Sequence, residues 1–517
     1  MLADVNGDTN LMSERDHDLH VIGRWISERA RQTPCRSAIE FDGDAITYAE
    51  LEVRSTELAH ALLHFGLMPG DRIATLTENR PEHVELLFAC AKAGLVMAPL
   101  NWRLTPPELA AQLKVFTPAL ITASRMHRTR MEETRSLVAS ATPSLDLETL
   151  AQELRPASLK RELPIVEDDD ALLIIATSGT TGTPKGVVLT HANCFWTNLG
   201  FDLAAPMGGD DVVLQVLPQC HVGGWNVQPL LAWWKGATVV LESSFDPPRV
   251  LDLVARRRVT TMMGVPATYL LLAQHPGFAQ ADLTSLRRVL VGGASMPLTL
   301  IEEWHSRGVE VVQGYGLTEA SPNVLCLAPE DATSHLGSVG KPYTYVNVAL
   351  HDNDTGSFVH GAGRGEIYVK GPNVFRGYWD NAAATAAAFD DGWLRTGDVA
   401  ERDEAGYYRI CGRAKEMFVS GGENVYPAEV EQVLASYLDV AEAAVVAIAH
   451  PRWGESGVAF VVAKRGATLE TETLTTYCRA NLAAYKVPSQ FHVVEELPRS
   501  TVGKVDRVRL TIMASES

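Results

Sequence analysis

The decapeptide Thr177-Ser-Gly-Thr-Thr-Gly-Thr-Pro-Lys-Gly186 constrains this chain more than any other segment. It follows the apolar run Leu172-Leu-Ile-Ile-Ala176, a predicted buried strand, and precedes a predicted helix from His191 onward. Hydroxyls and glycines ahead of Lys185 make a loop rich in N–H and O–H donors, able to wrap phosphate oxygens while the lysine supplies positive charge. Clusters of Gly, Ser and Thr are usually plain surface turns. Ten such residues in succession with a lysine are uncommon, which favours the phosphate reading. The loop is not a Walker A motif, which requires G-x-x-x-x-G-K-[ST]; here Gly182 is separated from Lys185 and Gly186 follows.

Around this loop, short β-branched runs alternate with helical patterns, so the fold class is α/β. Strands are predicted at Ala237–Leu241, Thr260–Met263 and Val289–Val291, with helices at Asp246–Arg258 and Pro297–Arg307 between and after them. From about Val346 the pattern turns to shorter, Gly-punctuated strands that suit a small β-barrel or meander. After Gly412 it changes again. A helix at Pro427–Tyr437, strands at Ala443–Ile448 and Ala459–Val462, and a helix at Leu474–Leu482 suit a small α+β module. A chain of 517 residues exceeds what one hydrophobic core serves, in keeping with at least two domains. The expected division is an N-terminal domain over residues 1–412, a hinge at 413–415 and a C-terminal domain over 416–517.

Lys and Arg number 45 against 63 Asp and Glu, a formal charge of −18, which argues against a nucleic-acid or anionic-membrane footprint. The seven cysteines are scattered and contain no C-x-x-C pair, so neither a disulfide framework nor a zinc site is expected. The N-terminus lacks the basic and apolar regions of a signal peptide, and no apolar window is long enough to span a bilayer. The expected location is the cytoplasm.

Further segments read as chemistry. In Gln313-Gly-Tyr-Gly-Leu-Thr-Glu319 a ring (Tyr315) can stack on a base, a hydroxyl (Thr318) can reach a phosphate and a carboxylate (Glu319) can hold an oxygen-preferring cation. The same residues also suit an ordinary strand-to-helix turn. Gly292-Gly-Ala-Ser295 follows a predicted strand and lets a planar group approach the backbone closely, although a plain βα turn has the same composition. Asp398, Arg413 and Lys504 taken singly could be a turn residue, a surface ion-pair partner and a solvated lysine.

Taken together, these segments resemble the adenylate-forming superfamily of acyl- and aryl-CoA synthetases, peptide-synthetase adenylation domains and luciferases. The resemblance runs from about Ile22 to Arg507. After the Thr177–Gly186 loop come, in the family's order, Leu217-Pro-Gln-Cys-His221, Gln313–Glu319, Trp393-Leu-Arg-Thr-Gly-Asp398, Tyr408-Arg-Ile-Cys-Gly-Arg413 and Pro498-Arg-Ser-Thr-Val-Gly-Lys504. The resemblance implies a large N-terminal domain of α/β subdomains plus a small β-barrel, and a small, mobile α+β C-terminal domain.

It also implies AMP-forming activation of a carboxylic acid by ATP and Mg²⁺. The ATP contacts it implies are Thr177, Ser178, Gly179, Thr180, Thr181, Gly182 and Lys185 in the loop, then Gly293, Ala294, Ser295, Gly314, Tyr315, Gly316 and Thr318. Asp398 would accept the ribose hydroxyls, Arg413 would contact ribose and phosphate, and Glu319 would hold the metal. His221, Gly224, Trp225, Asn226, Gly293 and Gly316 would border the acid. Lys504, with His221, Thr318 and Glu319, completes the catalytic set, and enters only in the adenylating conformation. A swing about Lys415 would then remove Lys504 and present Ser420, Gly421, Gly422 and Glu423 to a thiol tunnel.

Coenzyme A is the expected acceptor. A carrier protein, an amine, or an unusual oxyanion substrate such as nitrite remain alternatives. The sequence departs from the family at Cys220, where the residue before the histidine is usually aromatic. A Cys–His nucleophilic pair is disfavoured because adjacent side chains point in different directions, so Cys220 reads as a packing or pocket residue.

Overall fold

The computed structural model describes residues 20–138, 141–154, 162–178, 184–420, 423–450, 454–482, 484–500 and 504–516. Leu172–Ile175 is apolar at every position and buried at every position, as a strand covered on both faces must be. Two large sheets are built from such runs. The first has nine strands in the spatial order β15 (Lys341–Pro342), β14 (Asn323–Cys326), β13 (Glu310–Gly316), β12 (Arg288–Val291), β11 (Thr261–Gly264), β9 (Val212–Gln215), β10 (Thr238–Leu241), β1 (Ser37–Phe41) and β2 (Asp44–Thr47). Its six central strands, β13 to β1, are parallel.

The second sheet has seven strands in the order β19 (Gly377–Tyr378), β8 (Pro184–Thr190), β7 (Ala171–Ser178), β4 (Val96–Leu100), β3 (Arg72–Leu76), β5 (Leu120–Ala123) and β6 (Ser144–Asp146). Strands β7 to β6 are parallel, while β8 turns back along β7 as a hairpin and β19 pairs antiparallel with β8.

In the first sheet the chain passes from β9 to β10 on one side, then from β11 to β12 on the other. The connections therefore diverge between β9 and β11. In an open parallel sheet such a switch point leaves a crevice beyond the carboxyl ends of the strands, where ligands bind.

The Gly-punctuated strands form a six-stranded antiparallel sheet: β17 (Ser357–Phe358), β16 (Asn347–Asp352), β18 (Gly363–Lys370), β21 (Trp393–Arg402) and β20 (Phe389–Asp390), with β22 (Tyr408–Arg413) also on β21. A last sheet holds β24 (Glu423–Val425), β23 (Phe418–Ser420), β26 (Gly454–Ala463) and β25 (Val440–His450), with β27 (Gln490–Val494) parallel to β26. It packs with the helices Pro427–Ala435, Thr471–Asn481 and Arg507–Ser515, and residues 418–514 supply two apolar clusters of their own.

Between β22 and β23 lies the single 3-10 turn Ala414–Glu416, which contains Lys415. Three contacts fasten the C-terminal unit there. Tyr426 packs with Val399 and Cys411, the Arg364 guanidinium lies 5.4 Å from the Tyr426 ring centroid, and Arg507 pairs with Glu416 at 3.4 Å. No helix among the described residues is long and apolar enough to cross a membrane.

Candidate active site

Four loops leave the carboxyl ends of neighbouring parallel strands. After β9 comes the turn Pro218–His221, after β11 Val265, after β12 Gly292–Ser295, and within and after β13 Tyr315–Glu319. Gly293 sits at φ +79°, a backbone conformation that disfavours any side chain, and Gly293, Ala294 and Ser295 are all exposed. Gly316 is required for a different reason. A Cβ there would fall 1.8 Å from the Pro322 carbonyl oxygen, which already accepts the Leu317 N–H at 3.0 Å. Gly314, Tyr315, Gly316, Thr318 and Glu319 all retain partial solvent contact.

The antiparallel pair β21–β22 sets Asp398 directly opposite Arg413. Arg413 Nε donates to Asp398 Oδ1 at 3.0 Å, and the Tyr315 hydroxyl donates to Oδ2 at 2.7 Å. Burial pushes the Asp398 carboxyl above its ordinary value, and the Arg413 charge and the Tyr315 hydrogen bond offset this only in part. Strands β21 and β22 of one sheet and β13 of another thus meet at a single carboxylate.

Lys504, an exposed residue of the C-terminal unit, lies within electrostatic reach of the same cluster. Its carbonyl accepts the Ser500 N–H at 2.7 Å. Crowding by protein, then the Arg413 charge, pull its ammonium below the usual lysine value, while Asp398, Glu319 and Glu416 act in the opposite direction. His221 is within the electrostatic reach of Lys504 and Arg103. Burial, followed by those two charges, lowers its imidazole to about 4, so it is neutral near pH 7. Cys220 is buried and its thiol is pushed up to about 12, chiefly by burial. A thiol that stays protonated is a poor nucleophile, which agrees with a packing role.

Behind this turn the interior is polar and closed. Trp225 and Asn226, in the short helix Gly223–Asn226, expose no surface, and Gly224 is buried with them. Trp225 Nε1 donates to the Gln219 carbonyl at 2.6 Å, and Asn79 Oδ1 accepts the Gln219 N–H at 2.8 Å. Asn226 Nδ2 donates to Cys194 Sγ at 3.4 Å, and Asn198 Nδ2 to Asn226 Oδ1 at 3.3 Å. Trp225 therefore braces the Pro218–His221 turn from behind and Asn226 is tied to Cys194 and Asn198, whereas His221, Gly293 and Gly316 keep solvent contact.

The phosphate-loop hairpin sets Thr177 opposite Lys185 and Ser178 opposite Pro184. Gly179, Thr180, Thr181 and Gly182 lie outside the described residues, as do Gly421 and Gly422 of the expected thiol tunnel. Ser420 is buried and pairs with Glu423 in the C-terminal sheet. Two side chains at the site escaped the sequence reading. Arg103 follows β4 and is felt by both Cys220 and His221. Tyr378 donates from its hydroxyl to Glu319 Oε1 at 2.8 Å and carries the Lys185 ammonium 4.7 Å from its ring centroid. Neither has a local motif; each becomes visible only once separate sheets meet.

The interior histidines should make the chain acid-sensitive. His83 and His191 are 1% and 0% exposed, and burial lowers each to about 4. His191 Nδ1 accepts the Ile22 N–H at 3.1 Å, which a proton on that nitrogen would break. An unfolded histidine titrates near 6.5. Because the folded value is depressed, the stabilisation is full above about pH 6.5 and is lost as pH falls towards 4. The cost approaches about 1.4 kcal/mol per histidine per pH unit in that window. Urea midpoints should therefore drop between pH 7 and pH 5, and His191→Gln should flatten that drop. A midpoint that holds steady across the window would contradict neutral, buried imidazoles.

Comparison with known proteins agrees with this geometry. Residues 26–379 match the family model of the AMP-binding enzyme, and residues 429–504 match that of the AMP-binding enzyme C-terminal domain. A feruloyl-CoA synthase of Amycolatopsis sp is 41% identical over 94% of this chain and 97% of its own. An indoleacetate–CoA ligase of Aromatoleum aromaticum is 38% identical over 94% and 96%. The o-succinylbenzoate CoA synthetase of Bacillus subtilis, solved with its acyl-adenylate intermediate, superposes with a TM-score of 0.85 at 32% identity, covering 94% of this chain and 97% of that one. The chain belongs to the AMP-binding enzyme family, the adenylate-forming superfamily that its motifs resemble.

Proposed function

We propose that this enzyme activates a compact aryl-type carboxylic acid with ATP, releasing pyrophosphate, and transfers the acyl group from the adenylate to the thiol of coenzyme A. The observation that carries the reading is the meeting of Lys504, Asp398, Arg413, Glu319 and His221 in one electrostatic cluster beside the β9–β11 crevice. Attack of a carboxylate oxygen on the α-phosphate needs positioning and charge neutralisation more than covalent help. In this reading Lys185, Thr177, Ser178 and Thr181 hold the phosphates, Asp398 the ribose, and Lys504 the charge that grows at the α-phosphate. His221, neutral at pH 7, borders the acid without adding a charge to its carboxylate.

Glu319 suits Mg²⁺. It spends one oxygen on the Tyr378 hydroxyl, and a carboxylate has further lone pairs for a hard cation. Among the described residues no group of three or more His, Cys, Asp or Glu forms a metal cage. A cation held by one carboxylate and the ATP phosphates needs none, and when bound it neutralises phosphate charge.

Two observations support a compact acid. The relatives named above act, by name, on feruloyl, indoleacetate and o-succinylbenzoate groups. The closed polar interior at Trp225, Asn226 and Asn198 would be stranded by a long alkyl chain threading past it. We also infer a boundary near Lys415, about which the C-terminal unit turns between half-reactions, and a thiol path along Ser420–Glu423. All seven cysteines are free thiols, which supports a reducing, cytoplasmic setting.

Pyrophosphate–ATP exchange over hydroxycinnamic, indoleacetic, benzoic, medium-chain and long-chain acids, with nitrite as a further arm, tests the reading. Exchange should be strongest with the aryl acids, and mass spectrometry should show a CoA thioester. Strong exchange with long-chain acids would sink the compact-acid assignment, and no exchange with any of them would sink the activity.

A further inference from the structure

The segment Phe375–Trp379 belongs to none of the motifs above, yet it touches both halves of the phosphate site. Its strand β19 pairs with β8, setting Tyr378 opposite Val187, and the Trp379 N–H donates to the Gly186 carbonyl at 2.7 Å. At its other end the Phe375 N–H donates to the Glu319 carbonyl at 2.8 Å. A backbone strap thus joins the strand that carries Lys185 to the turn that carries Glu319.

Tyr378 repeats that link with its side chain. Its hydroxyl donates to Glu319 Oε1 at 2.8 Å, and the Lys185 ammonium lies 4.7 Å from its ring centroid. The ring face attracts the cation, while the hydroxyl fixes the carboxylate plane and leaves the second oxygen available. The ring is itself braced edge-on by Phe375 at 5.0 Å. Lys185 and Glu319 carry opposite charges and would otherwise be drawn into a direct ion pair that competes with ATP and its cation. An aromatic spacer with a hydroxyl at its far end satisfies both groups and keeps them apart.

We propose that Tyr378 is a positioning residue that holds Glu319 and Lys185 apart and aimed at Mg²⁺ and the ATP phosphates, an inference that rests on the adenylating function proposed above. A purely structural tyrosine would lower stability, or activity, without regard to magnesium. A positioning tyrosine makes the enzyme's demand for magnesium depend on the hydroxyl and its affinity for ATP depend on the ring.

The test uses the full-length enzyme with Tyr378→Phe and Tyr378→Leu. Magnesium is titrated in two assays: calorimetric binding of ATP without any acid, and pyrophosphate–ATP exchange with the best acid. Tyr378→Phe should raise the magnesium needed for half-maximal binding and exchange by about tenfold, the worth of one charge-assisted hydrogen bond. Its KM for the acid and its thermal midpoint should stay near wild type. Tyr378→Leu, which also removes the ring under Lys185, should weaken ATP binding further at saturating magnesium. An unchanged magnesium midpoint in Tyr378→Phe would overturn the proposal, as would a loss that extra magnesium leaves unaltered. If wild type binds ATP but exchanges with no acid, the adenylation reading fails, while the binding arm still decides the role of Tyr378.

Discussion

Lys504→Ala should slow acyl-adenylate formation by about a hundred- to a thousandfold, the cost of removing one preorganised group from a transition-state charge. Thioester formation from supplied acyl-adenylate should stay within a few-fold of wild type. The asymmetry follows from where the lysine stands. It belongs to the C-terminal unit, yet its charge is felt by Asp398 within β21, Glu319 after β13 and His221 after β9. Its tether to the rest of the chain is the single turn Ala414–Glu416 with the ion pair Glu416–Arg507 and the Tyr426 contacts.

In the proposed cycle that tether turns and withdraws the lysine before the thiol arrives. The loss should appear in kcat for pyrophosphate exchange, with the KM for ATP little changed, because an interaction made mainly in the transition state lowers kcat and kcat/KM together. Single-turnover measurement of both half-reactions is the check. Equal damage to both would mean that Lys504 serves a site common to the two conformations, and the proposed swing would have to be abandoned.

Much of this arrangement is legible in the sequence. The strands expected at Leu172–Ala176 and Val289–Val291 are β7 and β12, within two residues at each end. Buried parallel strands write themselves as unbroken apolar runs, so burial on both faces leaves a direct trace in the sequence. The ribbon expected at Ala443–Ile448 and Ala459–Val462 is longer, with Val440 paired to Ala463 and His450 to Gly454. Its ends carry polar residues such as His450 and Glu455, so the apolar pattern stopped before the pairing did.

The site divides in the same way. Asp398 and Arg413 stood in separate motifs, and only the β21–β22 register makes them opposite partners. Trp225 and Asn226 lay close to His221 in sequence and were expected beside it in a pocket. The short helix that follows His221 carries them into the interior, where neither exposes surface. Tyr378 and Arg103 act across sheets, through topology that no local spacing encodes.

Asp398→Ala should raise the KM for ATP by about ten- to a hundredfold while kcat at saturating ATP falls only a few-fold. The Asp398 side chain is 10% exposed and already oriented by two donors, the Tyr315 hydroxyl and Arg413 Nε. A carboxylate held this way loses little entropy when it accepts ribose hydroxyls, and each hydrogen bond to a charged group contributes about 1.5–3 kcal/mol. The 2′- and 3′-hydroxyls take no part in the displacement at the α-phosphorus, so this binding is shared by ground and transition states and its removal belongs in KM. Protein stability should suffer less, because the Arg413 side chain is 46% exposed and water can replace its lost partner.

Asp398→Asn sharpens the point. It keeps an acceptor for Tyr315 but gives up the charge facing Arg413, so its KM should fall between wild type and alanine. The acyl-adenylate carries the same ribose as ATP, and Asp398→Ala should therefore also raise the KM for supplied adenylate. Lys504→Ala should not. Measured side by side, the two variants separate a group that binds throughout the cycle from one that acts in half of it. A normal KM for ATP with a collapsed kcat in Asp398→Ala would move Asp398 from the ribose to the chemistry.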